Sequence, residues 1–211
     1  MIKFFTQLRH RLQAPAISVY FNLLGFKAKL KWLISRKYKV IKSNDITNQK
    51  REVVVFALYQ KTKFRKDVIN LLEVLRARGA YVVGVNTQKI DESNKDMIEK
   101  YFEVYIERYN FGRDFGSYKT AFTKVIYKNI NKSMIDKVLM INDSVYYSSL
   151  NLTSFVDSMM NSSFEVAGAT ENFDIQHHVG SFCIKIDSNI IFNAKLIKYW
   201  ASYVMNDVRP R

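Results

Sequence analysis

The chain of 211 residues holds one cysteine, Cys183. A lone thiol closes no internal disulfide and builds no cysteine-rich zinc site, so the simplest expectation is an intracellular setting. A buried, unreactive thiol is the ordinary state of such a residue. Long apolar runs are also missing. The longest weakly polar stretch, Ala14 to Phe26, is interrupted by Pro15 and Asn22 and is too short to span a bilayer. No clean cleavage region follows it, and basic residues continue beyond it, so a secretory signal is not expected. Gly-x-Gly-x-x-Gly, Walker and Gly-x-Ser-x-Gly patterns are absent, which removes the ordinary signatures of dinucleotide, P-loop and α/β-hydrolase sites. Internal repeats and low-complexity segments are missing too.

Acid is scarce, and the scarcity is local. Thirty-three Lys/Arg stand against 19 Asp/Glu, a formal charge of +14. Residues 1–50 carry eleven of the basic residues and a single acid, Asp45, whereas the remainder has 22 basic and 18 acidic residues, an ordinary surface. The basic segment is also apolar in places, through Phe4, Phe5, Leu8, Leu12, Ile17, Val19, Tyr20, Phe21, Leu23, Leu24 and Phe26, then Leu30, Trp32, Leu33 and Ile34. Lys/Arg mixed with aliphatic and aromatic residues fits a helix lying in the interface of an anionic cytoplasmic leaflet. The alternative is a helical extension packed on the domain. A pI of about 9.7 raises nucleic-acid binding as a rival, but the excess charge is concentrated outside the α/β domain and no RNA- or DNA-binding motif is present. No nucleic-acid partner is expected.

What is abundant is core material. Hydrophobic content of 48% and aromatic content of 14% argue for a folded chain with one main domain. Beyond residue 50 strand-like and helix-like stretches alternate. Glu52–Tyr59 is a continuous apolar run suited to a strand buried on both faces. Arg65–Arg78 places Val68, Leu71, Leu72 and Leu75 at helical spacing, and Gly79 follows as a C-terminal stop. Strands are predicted at Ala80–Asn86, Glu103–Arg108, Asp136–Ile141, Phe164–Gly168 and Gly180–Ile186. Helices are predicted at Asn94–Phe102, Ser117–Ile130, Leu152–Met160 and Ser188–Met205. This alternation predicts an α/β fold with a mostly parallel central sheet flanked by helices. The polar stretch Ser43–Arg51 marks the boundary between a basic extension, residues 1–50, and a domain, residues 51–211.

Ligands of such sheets bind outside the carboxyl ends of the strands, and two polar clusters fall there. Asn110-Phe-Gly-Arg-Asp-Phe-Gly-Ser-Tyr-Lys119 follows the strand ending at Arg108. Gly112 and Gly116 permit close backbone approach, Arg113 can pair bidentately with phosphate, and Asp114 can accept hydrogen bonds from sugar hydroxyls. Ser117 is placed to cap the next helix, whose N-terminus would face an anion. A tight turn closed by an Arg113–Asp114 ion pair is the structural alternative. In the second cluster, Val138-Leu-Met-Ile-Asn-Asp-Ser-Val-Tyr146, Asn142, Asp143 and Ser144 emerge where a strand ends. Asp143 can hold a divalent cation bridging a diphosphate, or bind hydroxyls, although a second acid beside it is lacking. An Asx-type turn is the alternative there. Tyr59 and Asn86, at the ends of two predicted strands, complete the candidate substrate contacts. Glu171 and His178, with His177 and Asp174 nearby, are candidates for a general base.

Taken together, Asn110-x-Gly-Arg-Asp-x-Gly-Ser-Tyr-Lys119, Asn142-Asp-Ser-Val-Tyr146, Gly168-x-Thr170 and Gly180-Ser-Phe182 resemble the rhamnan synthesis protein F family of polysaccharide glycosyltransferases. The likeness runs from about Val53 to Trp200. It implies a GT-A-like fold and transfer of a deoxyhexose such as rhamnose from a nucleotide-diphosphate sugar to a lipid-linked saccharide. The implied location is the inner face of the bacterial cytoplasmic membrane. By the same likeness Asn110, Gly112, Arg113 and Asp114 would contact donor, and Asn142 and Asp143 would occupy the usual Asp-x-Asp position, with magnesium or manganese as the implied ion. Tyr147-Ser148 and Gly180-Ser181 depart from the family's Gly-Pro and Gln-Ser, and by the resemblance a C-terminal segment that the family often carries would be expected beyond Arg211. A non-catalytic scaffold of a glycan-assembly complex is therefore the alternative.

Overall fold

The computed structural model describes residues 38–46, 51–173 and 178–205, with isolated positions Val19, Leu23, Phe26, Lys27 and Leu30 before them. Most of the predicted basic helix, as well as Asp174 and His177, lies outside the described residues.

Among the described residues nine strands and six α-helices of four or more residues carry the fold. In chain order they are β1 (Tyr38–Ser43), β2 (Arg51–Leu58), α1 (Lys66–Ala77), β3 (Tyr81–Asn86), α2 (Lys95–Tyr101), β4 (Val104–Arg108), α3 (Arg113–Ala121), β5 (Ile135–Asn142), α4 (Leu152–Met160), β6 (Val166–Gly168), β7 (Glu171–Asn172), β8 (His178–Val179), β9 (Cys183–Asp187), α5 (Ser188–Ile191) and α6 (Ala194–Ser202). Seven strands form one sheet in the order β1-β4-β3-β2-β5-β9-β6, and β7 and β8 form a separate hairpin. The four central strands, β4, β3, β2 and β5, are parallel neighbours. β1 pairs antiparallel with β4, and β9 lies antiparallel between β5 and β6. Five of the seven strands thus run one way, a mostly parallel sheet with reversed neighbours near its edges.

The apolar run of β2 explains the layering. Successive side chains of a strand point to opposite faces. Val54, Phe56 and Leu58 pack with Val68, Leu71, Leu72 and Leu75 of α1 and with Val156 and Met160 of α4. Val53, Val55 and Ala57 pack with Tyr118, Ala121 and Phe122, and with Trp200 of α6. Helix α1 ends where Gly79 takes φ 71, as expected. There the Gly79 and Ala80 amides donate to the carbonyls of Arg76 and Leu75 at 2.8 and 3.1 Å, a Schellman closure.

Three expectations are revised. Tyr38–Ser43 is the edge strand of the sheet, so the folded unit begins inside the segment assigned to the basic extension. The long C-terminal helix is two helices, because the Asn193 side chain accepts from the Lys195 amide at 2.9 Å and starts a new N-terminus. The helix expected from Ser117 begins at Arg113 and passes at Phe122 into a π-helical stretch, Phe122–Ile126. That stretch keeps Phe122, Val125 and Ile126 all buried and stacks Phe122 on Trp200 at 4.9 Å.

Candidate functional site

The chain runs from β2 to β3 and β4 on one side, then crosses back to place β5 on the other side of β2. The carboxyl ends of β2 and β5 therefore flank a topological switch point, where α/β sheets hold ligands. A cavity of about 670 Å³ opens there, a volume in the range of small-molecule sites. All four parallel strands feed it: Tyr59 to Lys63 after β2, Thr87 after β3, Asn110 and Arg113 after β4, and Asp143 and Ser144 after β5. Ala57, Leu58, Arg65, Asp114, Ser117 and Ser181 complete the wall.

Arg113 and Asp143 thus line one cavity, together with Tyr59, Asn110, Asp114, Ser117 and Ser144. Asn86, Gly112 and Asn142 lie behind the wall. Asn86 is fully buried. Its amide donates to the Gln60 carbonyl at 2.8 Å and to the Tyr105 hydroxyl at 2.9 Å, while its oxygen accepts from the Gln60 amide at 3.0 Å. The Asn142 amide donates to Asp114 Oδ2 at 2.8 Å, and its oxygen accepts from the Ser144 amide and hydroxyl at 3.2 and 2.7 Å. The Asx turn that sequence allowed at Asp143 is made by Asn142 instead.

Asp143 ties the two strands that flank the switch point. Its amide donates to the Ala57 carbonyl at 3.2 Å, and its Oδ2 accepts from the Tyr59 amide at 2.7 Å and from the Gln60 side chain. Among the described residues nothing hydrogen-bonds to Oδ1. Arg65 holds the same loop from the outside, donating to the carbonyls of Asp143 and Val145 at 2.8 Å each. It also grips Asp67 at 3.0 and 2.8 Å, and Asp67 accepts from the Tyr147 amide at 3.1 Å. Donating to Asp67 raises the Arg65 pKa against burial. Burial pushes the Asp67 carboxyl up, but the Arg65 and Tyr147 hydrogen bonds outweigh it and hold the pKa low. Burial drives the phenols of Tyr105, Tyr118 and Tyr147 upward, so they stay protonated. The Tyr147 hydroxyl donates to the Asn142 carbonyl at 2.7 Å, and that of Tyr118 to the Ser181 carbonyl at 3.1 Å.

Around Arg113 the roles differ from expectation. Gly112 and Arg113 both take positive φ, 82 and 49. Arg113 is exposed, and among the described residues it has no ion pair or hydrogen bond, so the Arg113–Asp114 pair is not formed. Ser117 sits in the interior of α3 and caps nothing. The close approaches at both glycines are to protein. A Cβ at Gly112 would meet Met205 Cβ at 2.8 Å, and one at Gly116 would meet the Phe111 carbonyl at 2.5 Å.

Glu171 and His178 lie on the β7–β8 hairpin, opposite Val179 and Asn172, with both side chains exposed. Neither is part of the cavity wall that carries Asp143. Sequence reasoning also missed Gln60, Lys61, Lys63 and Arg65, although their place directly after an apolar strand was the available signal. Among the described residues no three of His, Cys, Asp and Glu cluster as a metal cage. Asp114 and Asp143 are the carboxylates on the wall. One or two carboxylates with substrate phosphates are the donor set a magnesium ion takes, so the residues fit an ion carried in with a diphosphate.

Fold and cavity together define a mixed α/β domain whose switch-point cavity is lined by both basic and acidic side chains. No family model matches the chain. It is 25% identical over 175 residues to the uncharacterized protein y4gN of Sinorhizobium fredii (strain NBRC 101917 / NGR234), covering 79% of this chain and 45% of that protein. The chain therefore spans less than half the length of the curated relative it matches.

Proposed function

We propose that the chain is a GT-A-like glycosyltransferase domain of the rhamnan synthesis type. It transfers a deoxyhexose such as rhamnose from a nucleotide-diphosphate sugar to a lipid-linked saccharide. The observation that carries this reading is the cavity over the ends of four parallel strands, with Lys61, Lys63 and Arg113 on the same wall as Asp114 and Asp143. Cations suit the diphosphate, and carboxylates suit sugar hydroxyls and proton transfer. In the reaction the acceptor hydroxyl attacks the anomeric carbon as the bond to the diphosphate breaks. The bonding electron pair leaves with the diphosphate, whose charge is offset by Arg113, Lys61 and Lys63. The hydroxyl proton passes to Asp114 or Asp143, rather than to Glu171 or His178. A magnesium or manganese ion held by Asp143 would supply further neutralisation of the leaving group.

A lipid-linked acceptor calls for membrane contact, which the N-terminal segment supports. Val19, Leu23, Phe26 and Leu30 are exposed and helical at spacings that form one stripe. Residues 1–37 add eight Lys/Arg and no acid, the composition of a segment attracted to an anionic leaflet. Among the described residues no helix is long and apolar enough to cross a membrane.

The test is a thermal-shift screen of the full chain against nucleoside-diphosphate sugars, with and without magnesium or manganese, because a ligand of the native state raises Tm. At least one donor is expected to raise Tm, and Arg113→Ala is expected to abolish the shift. A Tm indifferent to every nucleotide sugar at millimolar concentration sinks the enzyme reading. It would favour the scaffold reading, to which the structural use of Asp143 Oδ2 by Tyr59 and Gln60 gives specific support.

A further inference from the structure

We propose that the end of α6 and the residues that follow it, Ala201–Met205, form a strap that positions Arg113 in the cavity, with Met205 as the positioning residue. The inference rests on the reading of the cavity as a diphosphate site.

Arg113 is a non-glycine residue at φ 49, directly after Gly112 at φ 82. Left-handed backbone is unfavourable for an L-residue because its Cβ crowds the following carbonyl, so its surroundings must hold it there. The Arg113 side chain has no partner among the described residues, and the hold therefore comes through the backbone of the loop. On one side the Gly116 amide donates to the Gly112 carbonyl at 2.7 Å. On the other side Met205 fills the space at Gly112: a Cβ there would lie 2.8, 3.1 and 3.2 Å from its Cβ, Cγ and Sδ. Arg108 completes the packing, donating to the Phe111 carbonyl at 2.6 Å and to Met205 Sδ at 3.4 Å. Met205 and Phe111 are both buried and form a small apolar cluster of their own, with Tyr203 against it.

Two further clamps fasten the strap to the same decapeptide. Lys119 Nζ donates to the carbonyls of Ala201 and Tyr203 at 3.0 and 2.6 Å. The rings of Phe115 and Tyr203 meet at 5.8 Å between centroids. The motif Asn110–Lys119 thus has two faces. Arg113, Asp114 and Ser117 line the cavity, whereas Gly112, Phe115 and Lys119 hold the strap, as the spacing of three and four residues on a helix dictates. A thioether suits this position because it packs into an irregular gap without demanding a fixed shape.

The experiment uses the full chain with Met205→Ala and Met205→Leu. Amide hydrogen exchange is read at Gly116 and at core positions Val54 and Val83, and inorganic pyrophosphate binding is read by calorimetry. In M205A the Gly116 amide is expected to exchange about tenfold faster with the core amides nearly unchanged. Pyrophosphate affinity is expected to fall by a similar order, since a loosened Arg113 must be ordered on binding. M205L is expected to restore both. Unchanged exchange at Gly116, or faster exchange without loss of affinity, overturns the proposal. Equal acceleration across the sheet, unrescued by leucine, also overturns it by making Met205 a general stability residue. If the wild type itself ignores pyrophosphate while Gly116 loosens in M205A and recovers in M205L, the strap stands and the diphosphate reading falls.

Discussion

Three side chains, two on the cavity wall and one in the core, separate binding from architecture. Arg113 is exposed and has no partner among the described residues, so Arg113→Ala is expected to change stability by no more than about 0.5 kcal/mol, as for an ordinary surface change. On the proposed reading its effect falls on nucleotide-sugar affinity, and calorimetry beside urea unfolding separates the two. Asp143 is different. Its Oδ2 accepts from the Tyr59 amide and the buried Gln60 side chain. Losing a charged acceptor leaves those donors unpaired, so Asp143→Ala is expected to cost about 1.5–3 kcal/mol. Urea unfolding midpoints read the loss directly, and an unaltered midpoint would mean that water replaces the carboxylate without penalty. Cys183 is fully buried, and burial pushes its thiol up to about 12. Native protein at pH 8 is expected to resist iodoacetamide until denaturant unfolds it, because the thiolate is the reacting form. Rapid labelling without denaturant would contradict the packing around β9.

At the scale of elements, the clamp between α1 and the loop after β5 sets an acid-sensitive point. Arg65 binds the loop carbonyls and Asp67, and Asp67 takes the Tyr147 amide. The folded Asp67 pKa lies below its ordinary value of 3.8. A carboxyl depressed in the folded state adds stability that is fully present above the unfolded pKa and is lost as pH falls through the folded one. Stability is therefore expected to decline as pH drops below about 4. Asp67→Asn should flatten that acid limb in thermal unfolding while lowering stability near neutrality. A wild-type limb no steeper than the variant's would remove Asp67 from the clamp. The same scale shows why part of the site was hidden. The strand β2, the helix α1 with its stop at Gly79, and the polar loop after β5 were all legible, because each is written in consecutive residues. The packing of Gly112 was not, because its neighbour Met205 comes from the far end of the chain. Two glycines in a loop invite a ligand by sequence alone, whereas here they admit Met205 and the Phe111 carbonyl.

For the whole molecule, the place of β1 decides how the basic segment can be tested. Tyr38–Ser43 pairs with β4 along the sheet edge. Removing residues 1–50 strips that edge as well as the charge, and an uncovered edge strand invites association. Removing residues 1–37 takes away eight Lys/Arg and keeps β1. The shorter deletion is expected to abolish sedimentation with phosphatidylserine vesicles while leaving the thermal response to nucleotide sugars intact. Vesicle binding that survives it would move the membrane contact into the folded unit. Tight binding of the full chain to nucleic acid, with no affinity for anionic vesicles, would assign the charge to the rival partner.

Composition and periodicity determined the class of this protein. An uninterrupted apolar strand has to be covered on both faces, so helices above and below a largely parallel sheet followed from Val53–Leu58 and the helical stretches after it. The same logic located polar clusters at strand ends. Only the tertiary structure decided which of those residues share a wall. The crossover to β5 brings Asp143 beside Tyr59 and Gln60, and the hairpin carries Glu171 and His178 away from that wall. The strap at Met205 uses the freedom of Gly112. Such pairings join segments far apart in the chain, and local propensity carries no record of them. They arise when a buried acceptor must find its donors and a gap must be filled.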